Sequence, residues 1–191
     1  GMSSDDKIDA LNELWRNFCV SDTFEPGSTI KPFTVATGLE IGALKGDETY
    51  YCGGSLQIDE WEIKCISYDN GGHGQQNLTQ VMENSCNVAL MQIGLAIGPE
   101  EFCKYQSIFG FGQYTGIDLP AEASTASLLY TADTMTPVDL ATNAFGQNFN
   151  TTMIQLGTAF CSLVNGGKLY QPRVVSKITD QNGNTIQDIS P

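Results

Sequence analysis

Histidine is nearly absent from this chain: His73 stands alone, and the six cysteines include no Cys-x-x-Cys pair. Zinc-finger-like ligand spacing is therefore missing, and no metal site is expected. Basic side chains are scarce as well. Nine Lys and Arg face 22 Asp and Glu, a net charge of -13 that opposes phosphate backbones and anionic lipid surfaces. Nucleic acid is not an expected partner. No apolar run approaches the roughly 18 residues needed to span a bilayer, and no signal-peptide pattern opens the chain, so these residues are expected to be soluble. Internal repeats and low-complexity tracts are absent, and nothing requires a second domain.

What is present fits one globular unit. Of 191 residues, 41% are apolar and 16% charged, enough to bury a sizeable core. Residues 1–6 read as a tag scar (Gly1 ahead of Met2) and a polar lead-in. Residues 7–191 carry the fold.

The chemistry-bearing feature is Phe24-Glu25-Pro26-Gly27-Ser28-Thr29-Ile30-Lys31. A Pro-Gly turn puts a hydroxyl and an amine at the mouth of a new helix, and positions i and i+3 lie on one face, roughly 5–6 Å apart at Cβ. Lys31 could then reach back to Ser28. A serine needs an adjacent base to become a nucleophile, and a lysine serves only when desolvated. Two common residues at that spacing arise by chance in many chains, so a second element is needed. Ser85-Cys86-Asn87 supplies it: if extended, Ser85 and Asn87 point to one side and Cys86 to the other. The bland alternative leaves Ser28 as a helix N-cap, Lys31 as a solvated charge, and Ser85 and Asn87 as a turn or cap pair.

Together, Ser28-Thr29-Ile30-Lys31 and Ser85-Cys86-Asn87 resemble the first two of the three signatures, S-x-x-K, S-D-N and K-T-G, of the penicillin-recognising serine enzymes. Phe24 to Gly27, Gly72-His73-Gly74, Phe109 to Gly112, Thr115 to Pro120, Phe145-Gly146-Gln147 and Asn165-Gly166-Gly167 extend the likeness. It is to the transpeptidase domain of class B penicillin-binding proteins of the cell-division and sporulation types. No Lys-Thr-Gly or Lys-Ser-Gly occurs, and the chain stops at Pro191. Residues 7–191 are accordingly expected to be a partial transpeptidase domain, itself inactive.

The resemblance implies an α+β, β-lactamase/transpeptidase-like fold, here a fragment rich in helices with a C-terminal β-hairpin and most of the central sheet missing. It implies D,D-transpeptidation of peptidoglycan stem peptides and acylation by β-lactams, without metal or organic cofactor. Ser28 would be the nucleophile, Lys31 the base for acylation, Ser85 the proton shuttle, and Asn87 the group that binds the substrate amide and Lys31. The full-length parent is expected to be membrane-anchored, on the extracytoplasmic face of a bacterial membrane, with wall-synthesis or division partners. Two other readings stand beside it: a β-lactam-hydrolysing or D,D-carboxypeptidase relative, and a non-catalytic β-lactam sensor or wall-assembly scaffold. An extracytoplasmic location would permit a Cys52–Cys65 bridge, although spacing does not establish connectivity. Cys19, Cys86, Cys103 and Cys161 read as buried small hydrophobes, His73 as a loop residue near the site, and Trp15 and Trp61 as packing residues.

Periodicity predicts an amphipathic helix over 7–18 and a nucleophile helix from Ser28 to Glu40, its first turn distorted or 3-10 in type because of Pro32. Residues 45–74 read as irregular, more loop than core, with one hairpin around Gln57–Ile66. Asn77 or Thr79 caps a helix toward Asn84, Asn87–Leu95 forms the next, and Pro99 opens another that ends near Gly110. Gly112–Phe149 is expected to run over the surface with short helical pieces. A helix over 151–164 precedes a hairpin whose turn is Asn182-Gly183. Helices awaiting a sheet should leave apolar surface bare.

Overall fold

A computed structural model describes residues 2–189; Gly1, Ser190 and Pro191 lie outside them. Ser3 accepts from the Asp6 N–H, and the Asp6 carboxylate accepts from the Ser3 N–H. This capping box starts α1 (Ser4–Trp15). The supposed polar lead-in is thus the helix's own cap and first turn. Ile8, Leu11, Leu14 and Trp15 fall at helical spacing as expected, but all are exposed. The short α2 (Phe18–Ser21) and β1 (Thr23–Phe24) lead to a 3-10 turn over Gly27–Ile30, which runs into α3 (Lys31–Glu40). Pro32 falls in the first turn of α3, where no intrahelical N–H bond exists to be lost. The distorted start anticipated from Pro32 is this 3-10 segment.

The stretch 45–74, read as mostly loop, holds three strands, β2 (Thr49–Cys52), β3 (Ser55–Ile58) and β4 (Trp61–Lys64), and the first residue of a fourth, β5 (Gly74–Asn77). β3 and β4 make the expected hairpin. β2 and β5 pair antiparallel from Thr49↔Asn77 to Cys52↔Gly74, a pairing hidden in the sequence because the hairpin separates its strands. Cys52, Ile58 and Cys65 from this stretch enter the main core, so it is core as much as loop.

Asn77 and Gln80 form a second capping box at α4 (Leu78–Glu83), which is followed by α5 (Asn87–Ile97). Val88 to Met91, Ile93 and Ile97 are buried, which makes α5 the central helix. Pro99 opens α6 (Pro99–Ile108), with Glu100 and Glu101 in its first turn, where acidic groups suit the helix dipole. Thr136 and Asp139 box the start of α7 (Pro137–Ala144). The expectation of a surface-running segment fails here, because Leu140, Ala141 and Ala144 bury themselves in the α5 core. β6 (Thr151–Thr152) pairs with β1, and Thr152 with Gln155 caps α8 (Met153–Val164). β7 (Lys177–Thr179) and β8 (Thr185–Asp188) form the terminal hairpin.

Among the described residues every sheet has two strands, in keeping with a helical portion of an α+β domain. α3 joins two apolar clusters, giving Val35 to the one around α5 and Phe33, with Ile30 of the preceding 3-10 turn, to a second with Phe111, Phe149 and Ala159. The Phe33 ring meets Phe109, Phe111 and Phe160 edge-on at 4.9–5.3 Å. Val164, Val174 and Ile186 are all exposed. Trp15 and Trp61, read as packing residues, are exposed too, as is Cys161, while Cys19 and Cys103 are half-buried.

Candidate active site

Ser28 lies in the 3-10 turn, one residue beyond a backbone contact that fixes its position. Gly27 N–H donates to Gly146 O at 2.8 Å, and a Cβ on Gly146 would lie 1.9 Å from Gly27 O, while its φ is +94°. Only glycine allows that approach in that conformation. Thr34 Oγ1 donates to Ala144 O, and Asn148 N–H to Glu25 Oε1, so the end of α7 holds both sides of the turn. Sequence reading gave these residues no role at the site; the Phe145-Gly146-Gln147 likeness was the signal that could have marked them.

Lys31, the first residue of α3, is 2% exposed. Its Nζ donates to Ser85 O (2.6 Å), Ser85 Oγ (2.8 Å) and Asn87 Oδ1 (2.7 Å). These acceptors use all three ammonium donors. The Ser85 hydroxyl in turn donates to Ser28 Oγ at 3.0 Å. The four sequence-predicted residues therefore converge, but the expected reach of Lys31 back to Ser28 runs through Ser85.

The local fold explains why Ser85 points there. At the end of α4, Ser85 N–H donates to Met82 O and Cys86 N–H to Val81 O, the paired bonds of a Schellman ending. That motif places its last turn residue in the left-handed region, usually as glycine; here it is Ser85, at φ +51°. The strand-like reading of Ser85-Cys86-Asn87 is corrected accordingly. Cys86 alone is extended, at φ -73° and ψ 111°, and Asn87 begins α5. The sidedness survives, with Ser85 and Asn87 on Lys31 and Cys86 fully buried. A serine held in a conformation that favours glycine keeps a hydroxyl where a backbone turn alone would need none.

Burial lowers the Lys31 pKa from 10.5 to about 8, against opposing charge from Cys65 and Cys86. About a tenth of the amine is then neutral near pH 7. A neutral Nζ can accept from Ser85 Oγ, and Ser85 can accept from Ser28, so the chain of oxygens can carry a proton from Ser28 to Lys31.

Behind the turn, Cys52, Cys65 and Cys86 are buried free thiols; the Cys52–Cys65 bridge is not formed. His73 Nδ1 lies 3.1 Å from Ser67 Oγ and 3.7 Å from Cys65 Sγ, on that side of the turn. Sequence spacing concealed this grouping because its members come from four separate segments.

A serine linked through a second hydroxyl to a desolvated lysine at a helix start has the chemistry that serine acyl transfer requires. The family model for the penicillin binding protein transpeptidase domain matches residues 2–191, and the chain belongs to that family. It is 40% identical over 179 residues to stage V sporulation protein D of Bacillus subtilis, spanning 92% of this chain and 27% of that protein. It is 30% identical over 175 residues to a peptidoglycan D,D-transpeptidase FtsI homolog of Mesostigma viride, spanning 88% and 29% respectively. The crystal structure of penicillin binding protein 3 from Mycobacterium tuberculosis complexed with aztreonam superposes with a TM-score of 0.79 at 27% identity. That match covers 92% of this chain and 38% of the other. The chain thus spans less than a third of the length of these curated relatives. Among the described residues no helix is long and apolar enough to cross a membrane.

Proposed function

We propose that this chain is the helical, nucleophile-bearing part of a peptidoglycan D,D-transpeptidase, with residues 7–191 as a partial domain. The observation that carries the reading is the hydrogen-bonded chain Ser28–Ser85–Lys31. Ser28 attacks the penultimate D-Ala carbonyl of a stem peptide while its proton passes through Ser85 to neutral Lys31. The proton then returns by the same path to the departing amine of the terminal D-Ala, leaving an acyl-enzyme that an amine on a neighbouring stem resolves. Asn87 holds Lys31 through Oδ1 and binds the substrate amide. A β-lactam acylates the same hydroxyl. The parent protein works at the extracytoplasmic face of the bacterial membrane, anchored there with wall-synthesis or division partners. In a complete domain a further strand would supply a lysine and an oxyanion donor, and one such donor alone is worth roughly 100- to 1000-fold in rate.

Intact-mass spectrometry after incubation with a penicillin tests the assignment, using a chain extended through the third signature alongside its Ser28→Ala form. One stable adduct that vanishes in the variant is expected. An adduct that persists in Ser28→Ala, or none at all, would overturn Ser28 as nucleophile; rapid loss of the adduct with β-lactam turnover would move the reading to hydrolysis.

A further inference from the structure

Two strips of chain run antiparallel into the Ser28 turn. Phe24 of β1 pairs with Thr151 of β6, Glu25 Oε1 accepts from Asn148 N–H at 2.7 Å, and Gly27 N–H donates to Gly146 O at 2.8 Å. The second strip is the longer between those ties, and its slack is taken up where Asn148 sits in the left-handed region at φ +65°. Asparagine is among the few residues other than glycine that accept this conformation. Here a side-chain bond holds it: Asn148 Nδ2 donates to Asp139 Oδ1 at 2.7 Å, back in the first turn of α7. We propose that Asp139, Asn148 and Glu25 act as one clamp that sets the position of the Ser28 hydroxyl. Asn148 and Glu25 are then positioning residues for acyl transfer, a role that rests on Ser28 being the residue acylated.

The anchored end is well tied. Burial raises the Asp139 pKa, but bonds from Thr136, Tyr130 and Asn148 outweigh it and hold the carboxyl below its usual range, so it stays ionised at neutral pH. Thr136 N–H and Oγ1 donate to its Oδ2 at 3.0 and 2.6 Å, and its Oδ1 takes the Asn148 amide. On either side of Asn148 the loop is pinned by a buried ring. Phe145 sits in the α5 cluster and Phe149 in the one with Ile30 and Phe33.

At the other end, little slack separates Glu25 from Ser28. Pro26 is buried with φ at -68°, fixed by its ring, and Gly27 is tied to Gly146, so a shift of Glu25 passes on to the hydroxyl. Glu25 and Asn148 are both exposed, and neither needs the bond to replace lost hydration. What this short, charge-assisted bond fixes is geometry. The strained backbone of Asn148 fits the same role, because a residue other than glycine keeps such a conformation only where its surroundings hold it there. Acyl transfer is sensitive to such placement: an error of about 1 Å can cost roughly 100-fold in rate.

The test is stopped-flow acylation by a penicillin, in a chain extended through the third signature, resolving the dissociation constant of the first complex from the rate constant of acylation. Glu25→Leu should lower that rate constant about tenfold or more and leave the dissociation constant unchanged. Glu25→Gln, which keeps Oε1, should recover most of the rate. Asn148→Gly keeps the N–H and the left-handed backbone but loses the tie to Asp139. It should slow acylation, and joined to Glu25→Leu it should add nothing, because both act through the same bond. A variant that only misfolds in part lowers the fraction of protein labelled and not the rate constant. Glu25→Leu protein acylated at the wild-type rate, a weaker first complex in place of slower acylation, or independent effects of the two substitutions overturns the clamp and leaves the Ser28 reading standing. Wild-type protein that takes no penicillin overturns both.

Discussion

Replacing Lys31 by Met removes a buried charge while keeping an unbranched chain of similar size, and its effect should depend on pH in a calculable way. The native pKa of about 8 lies below the 10.5 of the unfolded chain. Between those values the unfolded state binds more protons, so stability rises with pH across that window; below pH 8 the cost of the buried ammonium is fully present. The shift is worth about 3 kcal/mol at about 1.36 kcal/mol per pH unit. Screening through the exposed Ser28 side of the site reduces this to about 2 kcal/mol. In urea, with a slope of about 2 kcal/mol/M, the wild-type midpoint should gain about 1 M relative to Lys31→Met as pH goes from 8 to 10.5. The comparison belongs in reduced protein. Met also leaves Ser85 O, Ser85 Oγ and Asn87 Oδ1 without their donor, a cost that does not vary with pH and so drops out of the slope. A difference that stays flat, or falls with pH, would refute the claim that Lys31 is held desolvated in the native fold.

Two substitutions probe the backbone that presents the site. Ser85→Gly should be more stable than Ser85→Ala by about 1 kcal/mol in urea unfolding, because both lose the hydroxyl but only alanine keeps the left-handed strain; the reverse order would rule out the Schellman ending. Gly146→Ala should cost about 3 kcal/mol or more, since its Cβ would collide with Gly27 O, and a midpoint within about 0.3 M of wild type would mean that the contact does not hold the Ser28 turn.

Helices and their ends were legible where short-range chemistry specified them. Asn77 as the cap of α4, Pro99 at the start of α6 and the Asn182-Gly183 hairpin all depend on residues within a few positions of one another. The same locality misled at α1. Its cap residues, Ser3 and Asp6, look like any polar lead-in until their reciprocal bonds are seen. It also misled over 45–74, where no short window contains both β2 and β5.

By itself the sequence determined the Ser28–Lys31 spacing, the family likeness and most helices, because each is written in neighbouring residues. Tertiary structure alone decided that Lys31 is buried among Ser85 and Asn87, that a backbone contact at Gly146 fixes the Ser28 turn, and that three cysteines and His73 meet behind it. Those facts depend on distances between segments far apart in the chain. Such distances are set by how α3, α5 and α7 pack, and no local pattern encodes them.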